Sequence, residues 1–147
     1  MKYFSLLFLL VGLLTSCSKD EDDTLKPEMS LYGKWTLVKI TGSMPSYELT
    51  ESSLDRYESY NFNEDGTFTK IRVKDNVSTN ASGTFLAKVN DGVTYLELTY
   101  TSESDLIGSC YGNLKEELYL SDDKITLSST WKHCDGPGLD YQKIIIY

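Results

Sequence analysis

After an apolar first segment, short apolar stretches alternate with turn residues along the chain, and the alternation has the period of strands rather than helices. Strands are predicted at 33–40, 58–62, 67–73, 82–89, 93–101, 111–120, 124–132 and 140–147. A short turn at 29–32 leads into the first strand. Residues 43–51, with Pro45, read as a polar connection, and 52–57 as a turn of helix. Asp65-Gly66 and Asp91-Gly92 are strong hairpin turns. With Asp91-Gly92 as a two-residue loop, Phe85 faces Leu98, Ala87 faces Leu96 and Val89 faces Thr94. Tyr100 continues that row, while Lys88 and Glu97 fall on the other face. With Asp122-Asp123 as the next loop, Leu120 faces Ile125, Leu118 faces Leu127 and Leu114 faces Trp131. Tyr119/Thr126 and Glu117/Ser128 make the opposite, mostly polar face.

Eight antiparallel strands joined mostly by short turns, with no convincing helix and no internal repeat, predict an all-β fold. The arrangement that removes exposed edges is a small eight-stranded up-and-down barrel, with a two-sheet sandwich as the structural alternative.

The first segment changes the picture. Lys2 is followed by an apolar run, Tyr3 to Leu14, too short for a bilayer core that needs about 20 residues. It fits a cleavable signal over residues 1–16. Leu14-Thr15-Ser16-Cys17 resembles the lipobox of bacterial lipoproteins, which implies cleavage before Cys17 and acylation of that residue. The resemblance implies a membrane anchor, since each buried CH₂ adds about 0.8 kcal/mol. Residues 17–28 form a charged tether, Ser18-Lys19-Asp20-Glu21-Asp22-Asp23 at its head. Lys followed by acids just after the Cys resembles the surface-export signal of Bacteroidota lipoproteins. It favours the outward face of the outer membrane over the periplasmic face.

The chain has a net charge of −8. A surplus of acids disfavours nucleic acid as a partner. Four of them lie in the tether at 20–23, so the folded part is only mildly acidic. With Cys17 assigned to lipid, Cys110 and Cys134 remain as an even pair in an oxidising compartment. The hairpin register brings them within one position of facing, which a bulge or a loosened strand end would close. A disulfide there stabilises by about 3.5 kcal/mol in the chain-entropy account. The competing reading, a metal or catalytic site at His133-Cys134, lacks ligands, because the chain has one histidine.

Leu31-Tyr32-Gly33-Lys34-Trp35 resembles the Gly-x-Trp signature of lipocalins. Together with Tyr60-Asn61-Phe62-Asn63-Glu64-Asp65-Gly66-Thr67-Phe68 it is similar to the lipocalin-like domain of small Bacteroidota lipoproteins. The resemblance spans 29–147 in layout and implies a barrel whose closed base holds Trp35 beneath a basic side chain, here Lys143.

Catalytic and metal templates miss required groups. Asn61-x-Asn63-x-Asp65-Gly66 begins like a calcium loop, but Arg72 stands where the bidentate Glu is needed. Gly108-Ser109-Cys110-Tyr111-Gly112 is no nucleophile elbow. Glu116/Glu117 and Asp122/Asp123 read as solvated surface. The chain is therefore read as no enzyme, with no cofactor and no metal. Of 11 tyrosines and 5 phenylalanines, Tyr3, Phe4 and Phe8 lie in the leader, leaving ten against three. Such rings suit half-buried strands or a ligand wall. The expectation is a lipid-anchored barrel binding a small apolar or amphipathic ligand, with Trp35, Phe62, Phe85, Leu96, Leu98, Tyr100, Leu118 and Leu127 lining the interior. The alternative is an envelope interaction or inhibitor module acting through its loops. Oligomeric state is left open by the sequence.

Overall fold

The computed structural model describes residues 31–42 and 47–143. The leader, Cys17, the tether and positions 29–30, 43–46 and 144–147 lie outside the described residues. Among the described residues nine strands follow one another: β1 (Gly33–Thr41), β2 (Glu48–Thr50), β3 (Tyr57–Phe62), β4 (Thr67–Lys74), β5 (Val77–Asn90), β6 (Val93–Tyr100), β7 (Lys115–Leu120), β8 (Thr126–Ser129) and β9 (Gly138–Lys143). Consecutive strands from β3 to β9 pair antiparallel, β1 pairs with β3, and β1 pairs with β9 to close an eight-stranded up-and-down barrel. Closure leaves β2 as a short extra strand on the far half of β1.

Local chemistry explains the hairpins. At the β3–β4 turn the Asp65 carboxylate accepts from the Thr67 amide (2.9 Å) and hydroxyl (2.6 Å), and Gly66 takes φ +80°. Asn61 donates to Asn63 Oδ1 and Asn63 donates to the Thr67 hydroxyl, so the calcium-like spacing is spent on the turn itself. At β5–β6, Asp91 and Gly92 both take positive φ, and Phe85/Leu98, Ala87/Leu96 and Val89/Thr94 pair as expected. Asp75 and Asn76 make a further left-handed pair, which the amide and carboxylate side chains tolerate. That turn carries β5 back to Val77 where the sequence suggested a start at 82.

Other elements depart from expectation. The connection at 43–51 contains β2, and the helical turn is a 3₁₀ segment at Glu51–Ser53. The third hairpin is shifted by two: Leu118 pairs with Ser129 and Leu120 with Leu127. Lys124 takes φ +60° and Asp123 accepts from the Ile125 and Thr126 amides, so the loop is longer than Asp122-Asp123 alone. A shift of two preserves the faces, because side chains alternate with period two. Residues 111–114 are loop, and Trp131–Cys134 is a 3₁₀ turn, so β7 and β8 are shorter than predicted.

Inside the barrel, β1 presents Trp35 and Leu37, then slips by one at a bulge before Lys39 so that Ile40 faces inward. Up-and-down connectivity sorts the loops. One end holds the start of β1 and the β3–β4, β5–β6 and β7–β8 turns; the other holds 75–76, 101–114 and 130–137. The first half of the interior is aromatic and aliphatic: Phe62 packs on Tyr60 (5.5 Å between ring centroids) and on Phe85 (4.8 Å). Trp35, Leu96, Leu118 and Leu127 complete that core. Gly83 sits where β5 passes from β4 to β6, and a Cβ there would run into the Thr99 carbonyl.

Candidate functional site

The second half of the interior, toward the 101–114 loop, is charged. Strand period two places Glu58 in line with Tyr60 and Phe62 on β3, Lys70 with Phe68 on β4, and Glu116 with Leu118 on β7. Glu58, Lys70 and Glu116 are each no more than 1% exposed. The Lys70 ammonium lies 3.1 and 3.3 Å from the two Glu116 oxygens, 3.4 Å from Glu58 Oε1, and donates to the Leu106 carbonyl at 2.6 Å. It also sits 4.7 Å from the centre of the Tyr60 ring. Arg72 Nε (2.5 Å) and Arg56 Nε (3.2 Å) reach Glu58 Oε2 from the rim. Tyr141 donates to Glu58 Oε1 at 2.6 Å, and Tyr100 donates to Glu116 Oε2.

Burial alone would raise the Glu58 carboxyl, but the Lys70 charge and the hydrogen bonds from Arg72 and Tyr141 outweigh it and hold it at about 2. The same burial pushes the phenols of Tyr60, Tyr100 and Tyr141 up, with the neighbouring carboxylates adding to the effect. All three remain neutral and can donate. Tyr60 is fully buried, and its hydroxyl, near that of Tyr100 but outside hydrogen-bond geometry, has no partner.

The 101–114 loop covers this cluster. Leu106 is 2% exposed, the Asp105 carbonyl accepts from Arg72 Nη1 (3.3 Å), and a Cβ on Gly108 would come within 2.9 Å of both Glu116 Oε1 and the Trp131 ring. A Cβ on Gly136 would also run into that indole. The disulfide Cys110–Cys134 joins the loop to the 3₁₀ turn, with both sulfur-bearing residues exposed. The cysteines thus pair as expected, although through the two loops rather than across strand ends. Two clefts flank the loop. One of about 350 Å³ is lined by Glu103, Ser104, Ile107, Ser109, Asn113 and Leu114. The other, about 280 Å³, includes Tyr111, Asn113 and Glu116.

Of the eight residues expected to line an interior ligand, Trp35, Phe62, Leu96, Leu98, Tyr100, Leu118 and Leu127 are buried in the packed core and Phe85 lies half-buried against it. None of them lines either cleft. Trp35 donates its indole N–H to the Leu31 carbonyl (2.9 Å) and pairs in register with Lys143, whose ammonium is held below its ordinary pKa by burial. Cys17 lies outside the described residues.

Glu116 corrects the surface reading of the Glu116/Glu117 pair: neighbours on a strand point to opposite faces, and Glu116 is the one that points in. Glu58 and Lys70 were not singled out from the sequence at all. Their signal is parity, since each sits two positions from an inward aromatic, but a charge at such a position needs a partner that only the other strands supply. Comparison with family models, with curated proteins and with solved structures finds no match for this chain.

Proposed function

We propose that the protein is a lipid-anchored envelope barrel of lipocalin-like type that binds a small amphipathic molecule at its loop-covered end. The observation that carries this reading is the cleft of about 350 Å³ beside the 101–114 loop. Its volume is that of a small-ligand site, and it mixes apolar Ile107 and Leu114 with the polar groups of Glu103, Ser104, Ser109 and Asn113. Core packing of the eight interior residues moves the proposed site from the barrel interior, where the sequence suggested it, to the mouth. The anchor rests on the Leu14-Thr15-Ser16-Cys17 pattern, and the outward face of the outer membrane on the Lys-acid run behind it.

Native mass spectrometry of the protein purified from its own envelope tests the reading. A carried molecule of a few hundred daltons, lost or weakened in Leu114→Asp, is expected. Recovery only of ligand-free protein, with no calorimetric response to a panel of amphiphiles, would overturn it.

A second reading, an interaction module, is favoured by Tyr111, which stands 74% exposed on the stapled loop. Exposed tyrosines on rigid loops are common anchors at protein interfaces. Capture of one envelope protein by the wild type and not by Tyr111→Ala would support that reading instead.

A further inference from the structure

The wall of the larger mouth cleft carries hydrogen-bonding groups of one kind. Ser104 Oγ accepts from the Leu106 amide (3.2 Å), Ser109 Oγ from the Tyr111 amide (3.0 Å) and Asn113 Oδ1 from the Lys115 amide (3.0 Å). Each oxygen holds the loop backbone, and each side chain keeps its donors: the two hydroxyls and the Asn113 amide N–H groups have no acceptor among the described residues. Glu103 stands beside them, exposed, with neither an ion pair nor a hydrogen bond among the described residues. No lysine or arginine lines this cleft among those residues. The wall therefore offers three donor side chains and one charged acceptor around the apolar Ile107 and Leu114.

Charge and donors together select the head group of a ligand. An anion would meet the donors but face the Glu103 carboxylate. A cation would pair with Glu103 and leave the Asn113 amide donors unused. A neutral head with several hydroxyls suits both, since each hydroxyl donates one bond and accepts others. The second cleft extends the same chemistry: Asn113 lines both, and the exposed Tyr111 stands in the second wall with Glu97 and Glu117. An aromatic face is electron-rich, so it suits the C–H face of a sugar ring, whose hydrogens are weakly positive. Cys110, next to Tyr111, is tied to Cys134, which fixes this wall at one point.

We propose that the mouth beside the 101–114 loop binds a glycoside, a neutral sugar head joined to an apolar chain. The sugar hydroxyls donate to Glu103 and accept from Ser104, Ser109 and Asn113, while the chain lies along Ile107 and Leu114. A second sugar ring, reaching past Asn113 into the other cleft, rests on Tyr111. This inference rests on the small-ligand reading above and adds to it the chemical class of the head group.

Calorimetric titration of the purified protein with octyl β-glucoside, octyl β-maltoside, octyltrimethylammonium, octanoate and 1-octanol, each below its micelle concentration, tests both parts. These probes share one chain and differ in the head. The glucoside is expected to bind about tenfold tighter than octanol, octanoate or the ammonium, and the maltoside several-fold tighter again. Glu103→Gln, which changes an exposed side chain with no bond to lose, is expected to weaken both glycosides several-fold and to leave octanol unchanged. Tyr111→Ala is expected to bring the maltoside down to the glucoside. Octanol, octanoate or the ammonium binding as tightly as the glucoside, or glycosides indifferent to Glu103→Gln, would overturn the sugar head while leaving the mouth-cleft reading in place. A maltoside no tighter than the glucoside in the wild type would overturn the part given to Tyr111. Silence of all the probes, in a protein that circular dichroism shows to be folded, would overturn the small-ligand reading and this inference with it.

Discussion

Glu58 shows how a single carboxylate is held charged inside a barrel. Its two oxygens together meet Lys70, Arg72, Arg56 and the Tyr141 hydroxyl, so each charge introduced into the interior has an opposite within 3.4 Å. Such clusters are not strong net sources of stability, but removing one member leaves its partners buried and uncompensated. The Glu58 pKa of about 2 lies below the ordinary 4.5. Its contribution is therefore full above about pH 5 and is lost as pH falls through 4.5 toward 2, on the order of 3 kcal/mol across the window. Urea unfolding at pH 6 and pH 3 should show that loss in the wild type. In Glu58→Gln stability should already be lower at pH 6, and its dependence between pH 5 and 2 should be flatter. A slope unchanged by the substitution would show that other carboxylates carry the acid transition.

At the scale of elements, the hairpins divide by the chemistry of their turns. Asp91-Gly92 can take left-handed backbone at both positions, so loop length and register follow from the two residues alone. Asp122-Asp123 lacks a glycine, and the chain places its left-handed residue at Lys124 with Asp123 gathering amides from beyond it. Register moves by two as a result, and the inward set, Leu118, Leu120 and Leu127, is kept. The 101–114 loop depends on tertiary contacts instead, and its one covalent tie spans 24 positions. Reduction should lower stability by about 3.5 kcal/mol in the chain-entropy account. Differential scanning calorimetry with and without dithiothreitol measures that loss, and proteolysis should then cut first within 101–114. Cleavage beginning at the β3–β4 turn would contradict the assignment of the loop as the least independently stable element.

For the whole molecule, connectivity sets orientation. The first strand begins, near Trp35, at the end opposite the 101–114 loop. The stretch from Cys17 to Leu31 reaches at most about 50 Å. Under the proposed anchor at Cys17, a tether of that reach leaves the loop end free to face away from the membrane. Cys17→Ala is expected to move the protein from the detergent phase to the aqueous phase of a Triton X-114 partition and to abolish palmitate labelling. Circular dichroism of the barrel should stay unchanged. Retention of label in Cys17→Ala would remove the anchor from the reading.

Period-two alternation and Asp-Gly turns act over a few residues, so the all-β class was legible in the sequence, with a barrel favoured over a two-sheet sandwich, and the β1–β9 pairing settles the closure. The sequence also favoured the pairing of Cys110 with Cys134, from an even pair near facing positions, and the inward row Phe85, Leu96, Leu98, Tyr100 from turn geometry. That Glu58, Lys70 and Glu116 point inward together comes from tertiary pairing alone. A buried charge is tolerable only when its counter-charge arrives from another strand, here β3, β4 and β7, and no local pattern records that meeting. The same holds for Leu106 and Gly108. Their burial is imposed by the cluster beneath them, by Trp131 beside them and by a disulfide whose partner lies 24 residues away.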